Sequence, residues 1–215
     1  MPGYLGQGFA EKIGEIKELS PEDREVIAYG LEYFIHGFSG LILMLFLGWT
    51  LGLFVETLVL MFCWVMMRIF AGGAHCTALW RCTVVNSFSM LMVLLLTRGA
   101  LNYLPPFLWV GVAAGWGFLA VLLWAPHNSE RPILDPLRRR KLRSKAIGVV
   151  LLMGVTLGTA AFFAGNYWPA LSVAGASGLA AGAFMISPPA FRLINFSDQL
   201  LLDLQSRFAK GGETQ

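Results

Sequence analysis

A histidine and a cysteine seven residues apart are the residues of this sequence best suited to covalent chemistry. His75 and Cys82 lie between two hydrophobic segments, shortly after the paired glycines Gly72 and Gly73. A cysteine thiolate is a strong nucleophile, and a neighbouring imidazole takes the thiol proton or stabilises the thiolate. The pair therefore fits a thiol-peptidase site. On the residues alone, a histidine at a helix interface and an inert buried cysteine fit equally well.

The spacing of this pair requires a break in the helix that carries it. In a continuous helix, seven residues leave the two backbones on one face but about 10 Å apart. Glycine adopts backbone conformations that other residues avoid. We therefore predict that residues 70–76 are not regular helix, that Gly72 or Gly73 takes such a conformation, and that the next helix begins between His75 and Cys82.

The elements that must hold this segment are membrane helices. The chain has 215 residues, of which 56% are hydrophobic and 13% charged, whereas a soluble domain has about 25% charged residues. Long uncharged runs indicate bilayer-spanning helices. We predict an all-α integral membrane protein with about six transmembrane helices, an N-terminal amphipathic helix and a C-terminal surface helix. The predicted spans are 29–48, 52–68, 83–98, 106–125, 146–165 and 169–187.

The chain divides into three predicted regions. Residues 1–20 form an amphipathic helix whose apolar face fits a membrane surface and the protein itself equally well. Residues 21–190 form a six-span membrane domain with the His/Cys site at 68–86, and residues 191–215 form a C-terminal helix and tail. Ser20 and Pro21 are typical of the start of a new helix.

Pairs of glycines four residues apart occur in the last three predicted spans. Small residues at this spacing let helix backbones approach closely in membranes. We expect these pairs to serve internal packing rather than self-association. The pairs are Gly111/Gly115, Gly154/Gly158 and Gly178/Gly182.

The basic residues indicate the orientation in the membrane. With six spans, all of the 16 Lys and Arg residues except Arg98 fall on one side. Basic residues accumulate in cytoplasmic loops, so we predict that both termini and the His75–Cys82 segment face the cytoplasm. This distribution indicates contact with the phospholipid bilayer and no nucleic-acid partner.

Arg68, the run Gly72-Gly73-Ala74-His75 and Cys82 together resemble the motif of the accessory gene regulator protein B family. Residues 125–133 resemble the proline-bearing cytoplasmic loop of that family, and the length and span count are also similar. The resemblance implies a bacterial membrane endopeptidase that matures a quorum-sensing peptide. It implies that Cys82 is the nucleophile and His75 the catalytic histidine, supported by Arg68 and Gly73.

The implied reaction cleaves the C-terminal part of an AgrD-like precursor peptide. Cys82 keeps the remaining peptide as an acyl-enzyme thioester, and a cysteine of the precursor attacks this thioester to close a thiolactone ring. No cofactor or metal is expected. The sequence leaves the oligomeric state open, and a homodimer is among the options.

Three further residues near the pair have open roles. Cys76 stands where the family often has alanine, and in a helix it would point about 100° away from His75, so Cys82 ranks first as the nucleophile. Asn86 either orients the imidazole or joins neighbouring helices. Glu56 is costly within a span unless it is paired, and our preferred interpretation is a structural pairing with Arg68 or Arg81.

A basic run before the fifth predicted span has two interpretations. The favoured one is a cluster that faces lipid phosphates and sets the topology; the other is a docking surface for an acidic peptide tail. The run begins with Arg138, Arg139, Arg140 and Lys141 and continues with Arg143 and Lys145. For the whole chain, the rival to a peptidase is a small transporter or channel in which the Gly-Gly break lines a pore.

Overall fold

The computed structural model describes residues 20–100, 104–128, 135–163 and 168–212. Within these ranges the chain forms seven helices and two very short strands. In chain order they are α1 (Pro21–Thr50), α2 (Phe54–Ala71), β1 (Gly72–Gly73), α3 (Leu79–Ala100), α4 (Pro106–Trp124), β2 (His127–Asn128), α5 (Pro136–Phe163), α6 (Trp168–Phe184) and α7 (Pro188–Gly212). The predicted helix within residues 1–20 lies outside the described residues.

The helices have the lengths and hydropathy of membrane spans. Helices α1 to α5 are each long and apolar enough to cross a bilayer. Helix α6 qualifies only together with α7, and the two are bent by 82° at the short break between them. The prediction of an all-α membrane protein is confirmed, and the predicted count of about six agrees with five spans plus this bent pair.

Local signals place the helix ends. The Ser20 side chain caps α1 by accepting a hydrogen bond from the Asp23 backbone N–H at 3.2 Å, and Pro21 occupies the first turn. Asp135 caps α5 in the same way through the Leu137 backbone N–H. The C-terminal helix begins at Pro188, directly after the break, and therefore earlier than the predicted residue 191.

Helix α6 lies at the centre of the bundle and packs on α2, α3, α4 and α5. A Cβ at Gly178 would overlap the Leu60 carbonyl, and one at Gly182 would lie 2.9 Å from the Met67 Cβ, so both glycines let α6 approach α2 closely. The prediction for Gly111 and Gly115 was wrong, because an added Cβ at either would meet no atom within 4 Å. The glycine pattern alone does not tell which face of a helix meets a neighbour.

The irregular segment after α2 is fixed by two other connections. Gly72 and Gly73 pair in parallel with His127 and Asn128 of β2, which follows α4. The Ala74 backbone N–H donates to the Met185 carbonyl at 3.0 Å, at the break between α6 and α7. Residues 72–78 are thus held at one end of the bundle, where α2 ends and α3 begins.

Candidate active site

The structure brings His75 and Cys82 together. The Cys82 Sγ lies 3.8 Å from the His75 Nδ1. Helix α2 ends at Ala71 and α3 begins at Leu79, so His75 lies on irregular backbone and Cys82 in the first turn of α3. The predicted break and the predicted start of the next helix are confirmed. The expectation for residues 70 and 71 was wrong, because α2 continues through both.

Both glycines have left-handed backbone conformations, as predicted for at least one of them. Gly72 has a φ of 79° and Gly73 a φ of 144°. A Cβ at Gly72 would overlap the His127 carbonyl, and one at Gly73 would overlap the Arg68 Nη1. Each position therefore requires glycine for two reasons: its backbone angle, and the atoms packed where a Cβ would lie.

The Arg68 side chain contacts the turn that carries the histidine. Its Nη2 donates to the Ala74 carbonyl at 3.0 Å and lies 3.3 Å from His75 Nδ1 and 3.2 Å from Nε2. A nitrogen equally far from both ring nitrogens is not in line with either lone pair, so the guanidinium lies over the imidazole face. Arg68 therefore fixes the ring while leaving its edge free to face Cys82.

The Cys82 sulfur has two further polar neighbours. Asn86 Nδ2 donates to it at 3.3 Å from the next turn of α3. Cys76 is buried, and its hydrogen bond to Cys82 together with burial raises the pKa of its thiol above the ordinary value. A raised pKa disfavours the thiolate form of Cys76, which supports its lower rank as a nucleophile.

A buried ion pair anchors the same turn to α7. Asp198 Oδ1 accepts from Arg81 Nε at 2.6 Å, and both side chains are almost fully buried. Asp198 Oδ2 accepts from the Thr77 backbone N–H at 3.1 Å and from its hydroxyl at 2.6 Å. The sequence analysis missed Asp198. The available signal was a carboxylate on an amphipathic helix, but its partner is 117 residues away.

Other predicted site residues lie elsewhere. Glu56 is in the first turn of α2, at the opposite end of that helix from Arg68, and Arg81 pairs with Asp198 instead. The predicted pairing of Glu56 was therefore wrong, because the acid and the arginines are at opposite ends of the bundle. The basic run is exposed in the first turns of α5, on the same end of the bundle as His75: Arg138, Arg139, Arg140 and Lys141.

A cavity of about 460 Å³ opens beside the reactive pair, between α1, α2 and α3. Arg68, His75, Cys82 and Asn86 line one part of it, and largely apolar side chains line the rest. Among the described residues, no group of three or more His, Cys, Asp or Glu side chains is placed to hold a metal ion. The geometry places a thiol beside an imidazole on the wall of a largely apolar cavity.

Comparison with known proteins agrees with this geometry. The model of the family described as accessory gene regulator B matches residues 7–186, which include Arg68, His75, Cys82 and Asn86 but not Asp198. The chain belongs to the accessory gene regulator B family. Membership in the accessory gene regulator B family links the protein to quorum sensing and to a multi-pass membrane location.

Individual relatives of this accessory gene regulator B family member are distant. Proteins described as AgrB-like from Listeria monocytogenes serotype 4b (strain CLIP80459) and serovar 1/2a (strain EGD-e) are each 27% identical over 135 residues. Each match covers 61% of this chain and 64% of the relative, so the chain spans less than two thirds of the length of these relatives. No solved structure matches the chain.

Proposed function

We propose that this protein is a membrane cysteine endopeptidase in which Cys82 is the nucleophile and His75 the general base and acid. The observation that carries the proposal is the 3.8 Å contact between Cys82 Sγ and His75 Nδ1. Catalytic pairs work at hydrogen-bond reach and are often looser before substrate binds. The proposed substrate is an AgrD-like precursor peptide, which is what family membership implies.

In the first step, the Cys82 thiol transfers its proton to His75 Nδ1 while the sulfur attacks a backbone carbonyl near the precursor's C-terminus. The carbon–nitrogen bond then breaks, and His75 gives the proton to the departing amine. The retained part of the precursor remains on Cys82 as a thioester. Asn86 supports this step by donating a hydrogen bond to the sulfur before attack.

In the second step, a cysteine of the retained peptide attacks the thioester carbonyl. Its sulfur forms the new carbon–sulfur bond, the bond to Cys82 breaks, and the proton of the attacking thiol passes through His75 to the Cys82 sulfur. Exchange of one thioester for another is close to neutral in energy, so the ring inherits the activation of the acyl-enzyme. Water would give a linear product instead, and the apolar lining of the adjoining cavity favours its exclusion.

The alternative of a transporter or channel required the Gly72–Gly73 break to line a pore. Neither glycine is among the residues that line the cavity beside His75. Gly72 packs against His127 and Gly73 against Arg68, where they leave room for protein atoms. These contacts support a turn built to position a side chain.

Co-expression with an AgrD-like precursor, followed by mass spectrometry of the products, tests the proposal. We expect Cys82→Ala and His75→Ala each to lower cleavage by at least about 100-fold. The double variant should be no worse than either single one, because the pair acts as a unit. Cys76→Ala and Cys63→Ala are the matched controls and should keep most of the activity. An inactive Cys76→Ala beside an active Cys82→Ala would overturn the assignment of the nucleophile.

A further inference from the structure

The first step of the proposed reaction creates a negative charge close to Cys82. When the sulfur bonds to a carbonyl carbon, the two electrons of the carbonyl π bond move onto the oxygen. This oxyanion lies two bonds from the sulfur, so a donor that stabilises it must lie close to the Cys82 Sγ. Hydrogen-bond donors aimed at such an oxygen are often the largest single contribution to the catalysis of acyl transfer.

Asn86 has a donor at this place. Its Nδ2 donates a hydrogen bond to the Cys82 Sγ at 3.3 Å. Asn86 follows Cys82 by about one turn of α3, so a single helix holds the amide and the sulfur in register. Both residues line the cavity beside His75, which is the open space through which a carbonyl group can reach the sulfur. Among the described residues, the Asn86 amide bonds to this sulfur and not to the imidazole.

Neighbouring donors have other partners or other tasks. The backbone N–H of Cys82 donates to the Ala78 carbonyl at 3.1 Å, at the start of α3. The Arg68 Nη2 donates to the Ala74 carbonyl and lies over the imidazole face. His75 is the proposed base and acid, so its proton goes to the leaving group. Of these groups, the Asn86 amide is the one suited to the oxyanion.

We infer that Asn86 is a catalytic residue whose Nδ2 shifts its hydrogen bond from the Cys82 sulfur to the oxyanion of the tetrahedral intermediate. This inference rests on the proposed peptidase function and adds the group that stabilises the developing charge. A sulfur bonded to carbon accepts a hydrogen bond weakly, whereas the oxyanion carries a full charge, so the bond strengthens as the intermediate forms. Ring closure passes through a second tetrahedral intermediate on the same sulfur, so the same donor serves both steps.

Two reagents separate this role from a structural one. With p-nitrophenyl acetate, the Cys82 sulfur bonds to the carbonyl carbon and an oxyanion forms. The carbonyl then re-forms as p-nitrophenolate leaves, and an acetyl thioester remains on Cys82. With iodoacetamide, the sulfur bonds to the methylene carbon as iodide leaves, and no oxyanion forms.

Both rates are measured on the full chain in lipid nanodiscs, with peptide mapping to identify the modified thiol. They are compared on the plateau at high pH, where the Cys82 thiol is fully ionised and a change in its acidity no longer affects the rate. Asn86→Leu removes the donor and keeps a side chain of similar shape. It should lower the acetylation rate at least about 100-fold and leave the iodoacetamide rate within about twofold, because the thiolate is the same nucleophile in both proteins.

Two further variants make the comparison specific. Asn86→Gln keeps an amide, and the adjoining cavity has room for it; it should acetylate at least about tenfold faster than Asn86→Leu. Asn195→Leu is the matched control, because Asn195 is exposed on α7, and it should leave both rates at wild-type values.

An equal change in both rates, including none, would overturn the inference, because Asn86 would then act on the thiol or on packing. A loss of acetylation in Asn86→Gln as large as in Asn86→Leu would overturn it as well, since the inference requires the amide and not the shape. Both results leave the peptidase proposal standing. That proposal is tested at pH 7, where His75→Ala should slow both reactions. If His75→Ala leaves both rates unchanged, the peptidase proposal fails, and this inference fails with it.

Discussion

At the scale of single residues, Arg68 connects the parts of the candidate site. Its guanidinium binds the Ala74 carbonyl, lies over the His75 ring and fills the space left by the missing side chain of Gly73. Lysine has the same charge but a single ammonium group on a flexible stem, so it cannot stack on the ring and bind the carbonyl at once. The shape of the arginine therefore matters here as much as its charge.

Arg68→Lys should slow both precursor cleavage and iodoacetamide alkylation of Cys82, by about 100-fold for cleavage, because a small displacement of a catalytic group has effects of this size. Rates of both reactions provide the measurement. Arg192→Lys is the matched control, since Arg192 is exposed on α7 at the same end of the bundle. A fully active Arg68→Lys would show that charge alone is sufficient at this position.

At the scale of elements, the turn between α2 and α3 is shaped by its neighbours as well as by its own sequence. Gly72 can approach the backbone of β2 because it lacks a Cβ, and this pairing sets the direction in which the chain leaves α2. Gly73 then makes room for Arg68. The turn moves His75 back over the start of α3, which a continuous helix would prevent.

Gly73→Ala should reduce cleavage at least about tenfold, although it removes no reactive group, because alanine is strained at a φ of 144° and its Cβ would displace Arg68. Gly111→Ala serves as the control, since its Cβ would meet no neighbour within 4 Å. The measurement is the cleavage rate at matched protein levels in the membrane. Wild-type activity in Gly73→Ala would mean that the turn is not needed in this form.

A second element, α7, supports the same turn from outside. Asp198 accepts hydrogen bonds from the backbone and side chain of Thr77, two residues after His75, and pairs with Arg81, one residue before Cys82. One carboxylate thus holds both sides of the reactive segment. Within the described part of the chain, Asp198 bonds to Thr77 and Arg81 and not to the side chains of His75 or Cys82, so we expect it to act by positioning them.

Asp198→Asn should lower both the thermal stability and the alkylation rate of Cys82, because it leaves Arg81 buried without a counter-charge. Breaking a buried ion pair by removing one partner costs about 3–5 kcal/mol. Thermal unfolding in detergent and the iodoacetamide rate are the two measurements. Asp203→Asn, an exposed change on the same helix, should leave both at wild-type values. Unchanged values in Asp198→Asn would rule out a supporting role for α7.

At the scale of the whole molecule, the features that sequence predicts best depend on local patterns. Apolar runs predicted the spans, Ser20 and Pro21 the start of α1, and the glycine pair the break before His75. The sequence analysis missed Asp198 and gave Glu56 the wrong partner for one reason. The contacts of both residues depend on how helices that are distant in the sequence are placed. A single sequence contains no direct signal for a contact between residues 81 and 198.

Most of the basic residues near the helix ends in the described part of the chain lie at one end of the bundle. Arg68, Arg81 and the start of α5 lie at the end where the reactive turn is held, whereas Arg98 lies in the last turn of α3, at the other end. Cytoplasmic ends of membrane proteins are enriched in Lys and Arg. We therefore propose that the reactive turn faces the cytoplasm, where a newly made precursor peptide would reach it.

Single reporter cysteines test this orientation in a chain whose three native cysteines are replaced by alanine. Leu104→Cys lies between α3 and α4, and Leu137→Cys lies in the first turn of α5; both leucines are exposed and lie at opposite ends of the bundle. In intact bacteria, an impermeant maleimide should label Leu104→Cys and should reach Leu137→Cys only after the membrane is permeabilised. Because α3 and α5 begin at the same end, labelling of Leu137→Cys in intact cells, with Leu104→Cys protected, would place the reactive turn outside the cell. Such a result would exclude a cytoplasmic precursor as the direct substrate.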